Sequence, residues 1–111
     1  MLTPWGEALD KNAVLQEYPR PQLVRESYCN LNGLWDYAIT ASDACPGAWD
    51  GEILVPFSPE APLSGVGRIL KPGQVLWYRR TLPFGKPDGG RMLLHIGAAD
   101  QRAWVYVNGL L

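Results

Sequence analysis

Hydrophobic and polar residues alternate with a period of two in several short runs, and that alternation sets the expectations for this chain. The clearest stretch is 92–109, MLLHIGAADQRAWVYVNG. Met92, Leu94 and Ile96 fall on one face, with Leu93, His95 and Gly97 on the other. Ala103, Val105 and Val107 then line one face, and Trp104 and Tyr106 the opposite one. Alternation rich in β-branched and aromatic residues predicts strands with one face turned to a core, here with Leu94, Ile96, Val105 and Val107 as core members. Asn108-Gly109 closes the stretch. That dipeptide after alternating hydrophobics is a strong hairpin signal, because a type I′ turn needs positive φ at both central positions. A hairpin promises a returning strand, but only Leu110 and Leu111 follow. The expectation is therefore a fragment of a longer fold.

The earlier pattern is similar. Residues 34–40, LWDYAIT, place Trp35, Tyr37 and Ile39 on one strand face, with Trp35 as a core anchor. The turn Asn30-Leu31-Asn32-Gly33 precedes them and the loop 41–51, ASDACPGAWDG, follows. Glu52 to Val55 makes a short strand closed by Pro56, which lacks the donor that would extend the ladder. Lys71-Pro72-Gly73-Gln74 makes a turn into a strand over 76–84, LWYRRTLPF, and 85–90, GKPDGG, makes another turn. Arg80 lies between apolar neighbours on its face and must snorkel or find a carboxylate, Glu60 being one candidate. Residues 1–30, with Pro4, Pro19 and Pro21 and no sustained period, predict an extended arm with one short helical turn near Glu7 to Leu15.

Composition supports an all-β class. The chain has 111 residues, near the usual size of one domain, and 47% hydrophobic residues with five Trp and five Tyr are ample for a core. Twelve Gly and ten Pro between short apolar runs suit a sandwich or barrel. A net charge of −1 with both signs interspersed leaves no electrostatic footprint for nucleic acid or an anionic membrane, and neither is expected as a partner. No run approaches a membrane span and the first residues lack the pattern of a signal peptide, so a cytoplasmic location is favoured over a secreted or periplasmic one. Cys29 and Cys45 have neither zinc-knuckle nor redox spacing and are expected as buried or free thiols.

Candidate chemistry concentrates in the loop 56–68, PFSPEAPLSGVGR, because binding residues favour loops held by a rigid scaffold. His95, the only histidine, lies on an expected strand without ligand-spaced partners, so it reads as structural and no metal is expected. Ser58 and Ser64 lack the nucleophile-elbow context, and Gly65-Val66-Gly67 lacks the third glycine and helix of a dinucleotide loop. No cofactor is expected. Glycoside hydrolysis needs two carboxylates about 5 Å apart or more. Glu60 and Asp100 lie on candidate loops, but nothing in the sequence brings them together.

Five segments in order resemble the amino-terminal domain of glycoside hydrolase family 2, the β-galactosidase and β-glucuronidase family. They are YPRPQLVR at 18–25, NLNGLWDYAI at 30–39, VPFSPEAPLSGVG at 55–67, WYRR at 77–80, and LLHIGAAD with VNG within 93–109. The resemblance implies a jelly-roll, galactose-binding-like β-sandwich, incomplete at its C-terminal end, with 1–30 as the arm and 31–111 as the partial sandwich. It implies a catalytic barrel elsewhere that carries both glutamates of a retaining O-glycosidase, so no catalytic position is expected in this chain. It also implies that one loop of this domain approaches the sugar site. Residues 57–67 match that loop best, making Glu60, Ser64 and Arg68 the candidates for a sugar hydroxyl or a barrel contact. The expected partners are carbohydrate, through the parent enzyme, and the parent's remaining domains. Two rival expectations stand beside this one: a free-standing carbohydrate-binding module using Trp49 or Trp104, and a non-functional fragment that self-associates through exposed sheet edges.

Overall fold

The computed structural model describes residues 2–17, 20, 22, 24–85 and 87–111. Tyr18, Pro19, Pro21 and Leu23, which belong to the first family-like segment, and Lys86, in the turn expected over 85–90, lie outside the described residues. The chain is mostly strand and irregular backbone with little helix, in line with an all-β class. Contacts cluster into two units, 1–81 and 82–111.

The first unit is built on a three-stranded antiparallel sheet, β1 (Gly33–Thr40), β2 (Gly51–Val55) and β3 (Val75–Arg79), with β1 in the middle. Trp35 stands opposite Ile53, and Tyr37 opposite both Gly51 and Tyr78. Alternation then puts Trp35, Tyr37 and Tyr78 on one face, and Trp35 meets Tyr78 edge to face with ring centroids 6.4 Å apart. The opposite face carries Asp36 paired with Arg79, whose guanidinium nitrogens reach one carboxylate oxygen at 2.7 and 3.0 Å. The same guanidinium lies 4.3 Å above the Trp49 ring.

Ile53 and Leu54 are adjacent and both fully buried, so β2 is covered on both of its faces. They share the core with Ala38 and with Val14 from the amino-terminal segment. That segment is less extended than its sequence predicts. A short helix, α1 (Pro4–Glu7), opens with Thr3 as N-cap, its Oγ1 accepting the Gly6 N–H at 3.2 Å. The helical turn therefore begins ahead of Glu7, because proline at the first helical position starts a helix rather than breaking one. Asp10 then caps a turn through Asn12, and Val14 passes into the core.

The turn before β1 ties these parts together. Asn30 Oδ1 accepts the Asn32 N–H, an Asx turn, and Gly33 follows at φ +123° where a side chain is strained. The Asn30 and Asn32 side-chain amides donate to the carbonyls of Leu15 and Val14. The Leu31 carbonyl receives the Trp35 indole N–H at 2.7 Å and also Arg80 Nη1, which reaches the Asn32 carbonyl as well. Arg80 thus finds backbone oxygens rather than the Glu60 carboxylate, and its cation sits 5.8 Å from the Trp35 ring centroid.

β3 ends at Arg79 instead of running to Phe84. The register would next set Arg80 against Trp35, but the Arg80 side chain reaches the turn ahead of β1, and Pro83 has no N–H to offer a ladder. The turn before β3 forms as its sequence predicts. Gln74 N–H bonds to the Lys71 carbonyl at 3.0 Å with Gly73 at φ +82°, as a type II turn requires.

In the second unit the hairpin turn forms and the expected strands do not. Val107 and Leu110 exchange both backbone bonds, at 2.8 and 3.0 Å, around Asn108 and Gly109 at φ +52° and +81°. Met92 to Ile96 and Ala103 to Tyr106 carry no ladder. Leu94, Ile96, Val105 and Val107 are exposed rather than core. An alternating segment becomes a strand only when another strand takes up its backbone groups, whereas a two-residue turn needs only its own φ values.

The two neighbouring arginines offer a stability comparison. Arg80→Ala removes charge-assisted bonds from a half-buried carbonyl pair and is expected to cost about 1.5–3 kcal/mol. Arg79→Ala removes an exposed ion pair and a ring contact and is expected to cost about 1 kcal/mol. Urea unfolding of the two variants checks the order; equal losses would contradict the role assigned to Arg80.

Candidate functional site: the loop from Pro56 to Arg68

Pro56 ends β2, and the chain folds at once into a series of tight turns rather than an open loop. Phe57 N–H bonds to the Leu54 carbonyl, and Ala61 N–H to the Ser58 carbonyl at 2.9 Å. A single 3-10 turn, Pro62–Ser64, ends at Gly65, which takes φ +81°. The loop is then closed at its base by the Arg68 N–H on the Pro59 carbonyl at 2.9 Å. Three prolines limit the backbone before any bond forms, so the loop holds one shape at low entropic cost.

Ser64 is the internal clasp. It is 2% exposed, and its Oγ faces the carbonyls of Pro59 at 3.2 Å and Ala61 at 2.7 Å while accepting the Val66 N–H at 3.0 Å. A hydroxyl has one proton to give, shared here between two carbonyls. The structure therefore places Ser64 inside the loop, with its hydroxyl engaged by the loop's own backbone.

Glu60 and Arg68 stand outside. Both are exposed, and the closing bond between Pro59 and Arg68 sets them at the same end of the loop. Arg68 Nη1 lies 3.8 Å from Asp50 Oδ2, a contact open to solvent on both sides. The same Asp50 oxygen accepts the Ile39 N–H at 2.9 Å while the Asp50 N–H bonds to the Tyr37 carbonyl, so the Asp50 side chain extends the β1–β2 ladder by one bond. Asp50 thereby sets the loop base beside the end of the β1–β2 ladder through a long, solvent-exposed ion pair.

Glu60 also acts on the aromatic face. The Tyr78 hydroxyl is pushed above the usual tyrosine range, first by burial and then by the negative charge of Glu60. Tyr78 nevertheless keeps part of its surface in solvent. Tyr78 shares its sheet face with Trp35 and Tyr37 and meets the Trp35 ring edge to face.

The structure brings Glu60 and Arg68 together at one loop end, and gives Ser64 a separate, internal position. It adds Tyr78 and Asp50, which sequence reasoning left out. The alternation of β3 signals Tyr78 as a face residue; nothing local signals Asp50, whose role depends on the register of β1 and β2. A cleft of about 240 Å³ lies elsewhere, between α1 and the 3-10 turn, walled by Leu2, Leu9, Leu54, Pro62 and Leu63 with Glu7 and Lys11 beside them. None of Glu60, Ser64 or Arg68 lines it.

The remaining candidates are simpler. Cys29 and Cys45 are free thiols and both are exposed, so the buried alternative does not hold. Trp49 lies under the Arg79 guanidinium, and Trp104 is exposed. Asp100 accepts the Arg102 N–H through its backbone carbonyl. No three His, Cys, Asp or Glu side chains among the described residues are grouped to hold a metal ion. No helix among them is long and apolar enough to cross a membrane. No protein-family model matches the chain, and no curated protein matches it in sequence.

Two outcomes test the site's electrostatics and its frame. Glu60→Gln is expected to lower the Tyr78 pKa toward the ordinary tyrosine value, read as tyrosinate absorbance against a Tyr78→Phe blank; no movement would separate Glu60 from the ring. Because the folded-state pKa is raised, the neutral phenol's contribution to stability is full below the unfolded tyrosine pKa and is lost as pH rises through the folded one. Denaturation midpoints should therefore drop in strongly alkaline buffer, and less so in Tyr78→Phe. Ser64→Ala leaves the Val66 N–H without its acceptor and is expected to cost about 1–3 kcal/mol in urea unfolding.

Proposed function

We propose that this chain is the sugar-binding-type, amino-terminal region of a family 2 glycoside hydrolase. On this reading it is non-catalytic by itself, and the parent protein cleaves O-glycosidic bonds on a separate barrel. The region docks on that barrel, and the loop 57–67 completes the substrate pocket from outside. The sheet β2-β1-β3 is then part of a larger jelly-roll sandwich, and the parent works in the cytoplasm.

The observation that carries the reading is the loop itself. Its backbone is closed on itself by Ser64 and by the Arg68 to Pro59 bond, and it presents one carboxylate and one guanidinium at one end. A rigid loop bearing two exposed charged groups is what positioning a sugar hydroxyl demands, since it orders few atoms on binding. The five sequence segments, in order along nearly the whole chain, add the family. The antiparallel sheet is compatible with it.

A second reading, a free-standing glycan-binding module, draws on Trp104, which is 58% exposed. Trp49 is the weaker candidate of the two named from sequence, because Arg79 covers one side of its ring.

Sequencing the reading frame beyond the Leu111 codon tests the first reading. Continuation into a glycine-rich strand and a barrel with two glutamates is expected, and a stop codon there would remove the proposal. In that intact hydrolase, Glu60→Gln is expected to raise KM several-fold with a smaller change in kcat. The 111-residue chain should leave nitrophenyl β-galactosides and β-glucuronides uncleaved. In affinity electrophoresis, glycan retardation that Trp104→Ala abolishes would favour the module instead.

A further inference from the structure

Residues 3–15 lie against the sheet and the loop 56–68 with few ties to either. Among the described residues, the backbone bonds donated from 3–13 stay local: Glu7 N–H to the Thr3 carbonyl, Ala8 N–H to Pro4 and Ala13 N–H to Asp10. The segment belongs to no strand ladder. Gly6 faces Leu63 of the 3-10 turn, so that a Cβ on Gly6 would stand 3.6 Å from both Leu63 methyls. The Lys11 carbonyl passes the opening of β1, 4.0 Å from where a Cβ on Gly33 would stand. At the far end Val14 is fully buried, and the Asn30 and Asn32 amides donate to the carbonyls of Leu15 and Val14 at 2.8 and 3.3 Å. Between these ends the cleft of about 240 Å³ leaves the packing of Leu2 and Leu9 against Leu54 and Leu63 incomplete.

We propose that residues 3–15 are a strap that opens as one piece while the sheet stays folded, and that the closed strap sets the shape of the loop 56–68. A segment held by side-chain amides, one buried valine and a partly filled cleft opens at lower free energy than a strand in a ladder. Its opening reaches the loop through Leu63, which the strap packs on and which precedes Ser64, the residue whose hydroxyl faces the Pro59 and Ala61 carbonyls. Neither Glu60 nor Arg68 lines the cleft, so the strap governs the order of the loop without occupying its charged end. The loop thus has a closed, fixed state and an open, looser one, selected from outside its own sequence. This holds whether or not the loop meets a sugar, so it stands apart from the proposed function.

Two readouts on the full chain test it. A lysine-specific endoprotease has one favourable bond, Lys11–Asn12, because Lys71 and Lys86 are each followed by proline. Hydrogen exchange follows the Val66 and Arg68 amides, which bond to Ser64 Oγ and the Pro59 carbonyl. When the strap recloses faster than it is cut, both rates report the population of the open state. Asn32→Ala removes the amide that reaches Val14 and Leu15 but keeps the Asx turn, whose acceptor is Asn30. It is expected to raise cleavage and loop exchange together, by about threefold to tenfold. Gly6→Ala adds a methyl at ordinary contact distance from Leu63 and a better helix former. It is expected to slow both rates by about twofold to fivefold, with no risk of unfolding the chain. Thr40→Val, at the far end of β1, takes the acceptor from the Trp77 indole N–H and lowers global stability. That bond persists when the strap opens, so neither rate is expected to change. Unchanged cleavage in Asn32→Ala, faster cleavage there without faster loop exchange, no slowing in Gly6→Ala, or acceleration of both rates by Thr40→Val would each overturn the proposal.

Discussion

Two peptide carbonyls, those of Leu31 and Asn32, hold the first unit together. Both belong to the turn that opens β1, ahead of the first residue in register with β2, so no strand N–H of that ladder donates to them. A buried carbonyl without a donor costs roughly as much as a lost hydrogen bond. The Arg80 guanidinium and the Trp35 indole supply the donors. Arg80 comes from the far end of β3, so satisfying a local backbone need joins residues 48 and 49 positions apart. The Asn30 and Asn32 amides do the same in the other direction, fixing residues 14 and 15 against the turn and so delivering Val14 to the core.

This arrangement explains why two adjacent arginines differ. Arg79 faces Asp36 and Trp49 across the sheet surface, in contacts that water and salt weaken. Arg80, one residue later and on the other face, lies against Trp35 and donates to carbonyls in a partly buried turn. Alternation assigns the faces. The chemistry waiting on each face decides which arginine is structural and which is open to solvent.

What could be seen in the sequence divides along the same line between local and distant causes. β1 and β2 follow from period-two runs with a turn or a proline at the end, and the turns at Gly73 and Asn108-Gly109 follow from residues that choose their own φ. The partner of Arg80 was not legible, because a guanidinium's first choice on paper is a carboxylate and the competing carbonyls become visible only once the turn is built. Pro4 was misleading for a related reason: the same residue breaks a helix interior and starts a helix after a Thr cap. Of the candidate site, Glu60 and Arg68 were legible as charges on a proline-rich loop. Ser64 looked equivalent to them, and only the 3-10 turn shows that its hydroxyl points into the loop.

The loop and the 92–111 segment mark opposite ways of handling polar backbone. In the loop, prolines remove donors and a buried serine with a closing backbone bond takes up part of what remains, so a stretch with no strand partner still holds a fixed shape. The 92–106 stretch has no prolines. Its groups are those of a strand, and a strand gains its order from another backbone alongside it. Asn108-Gly109 forms regardless, since a turn of two residues pays its own conformational cost. Alternating faces alone therefore leave 92–96 and 103–106 without a ladder, while the turn at their end is made by its own two residues.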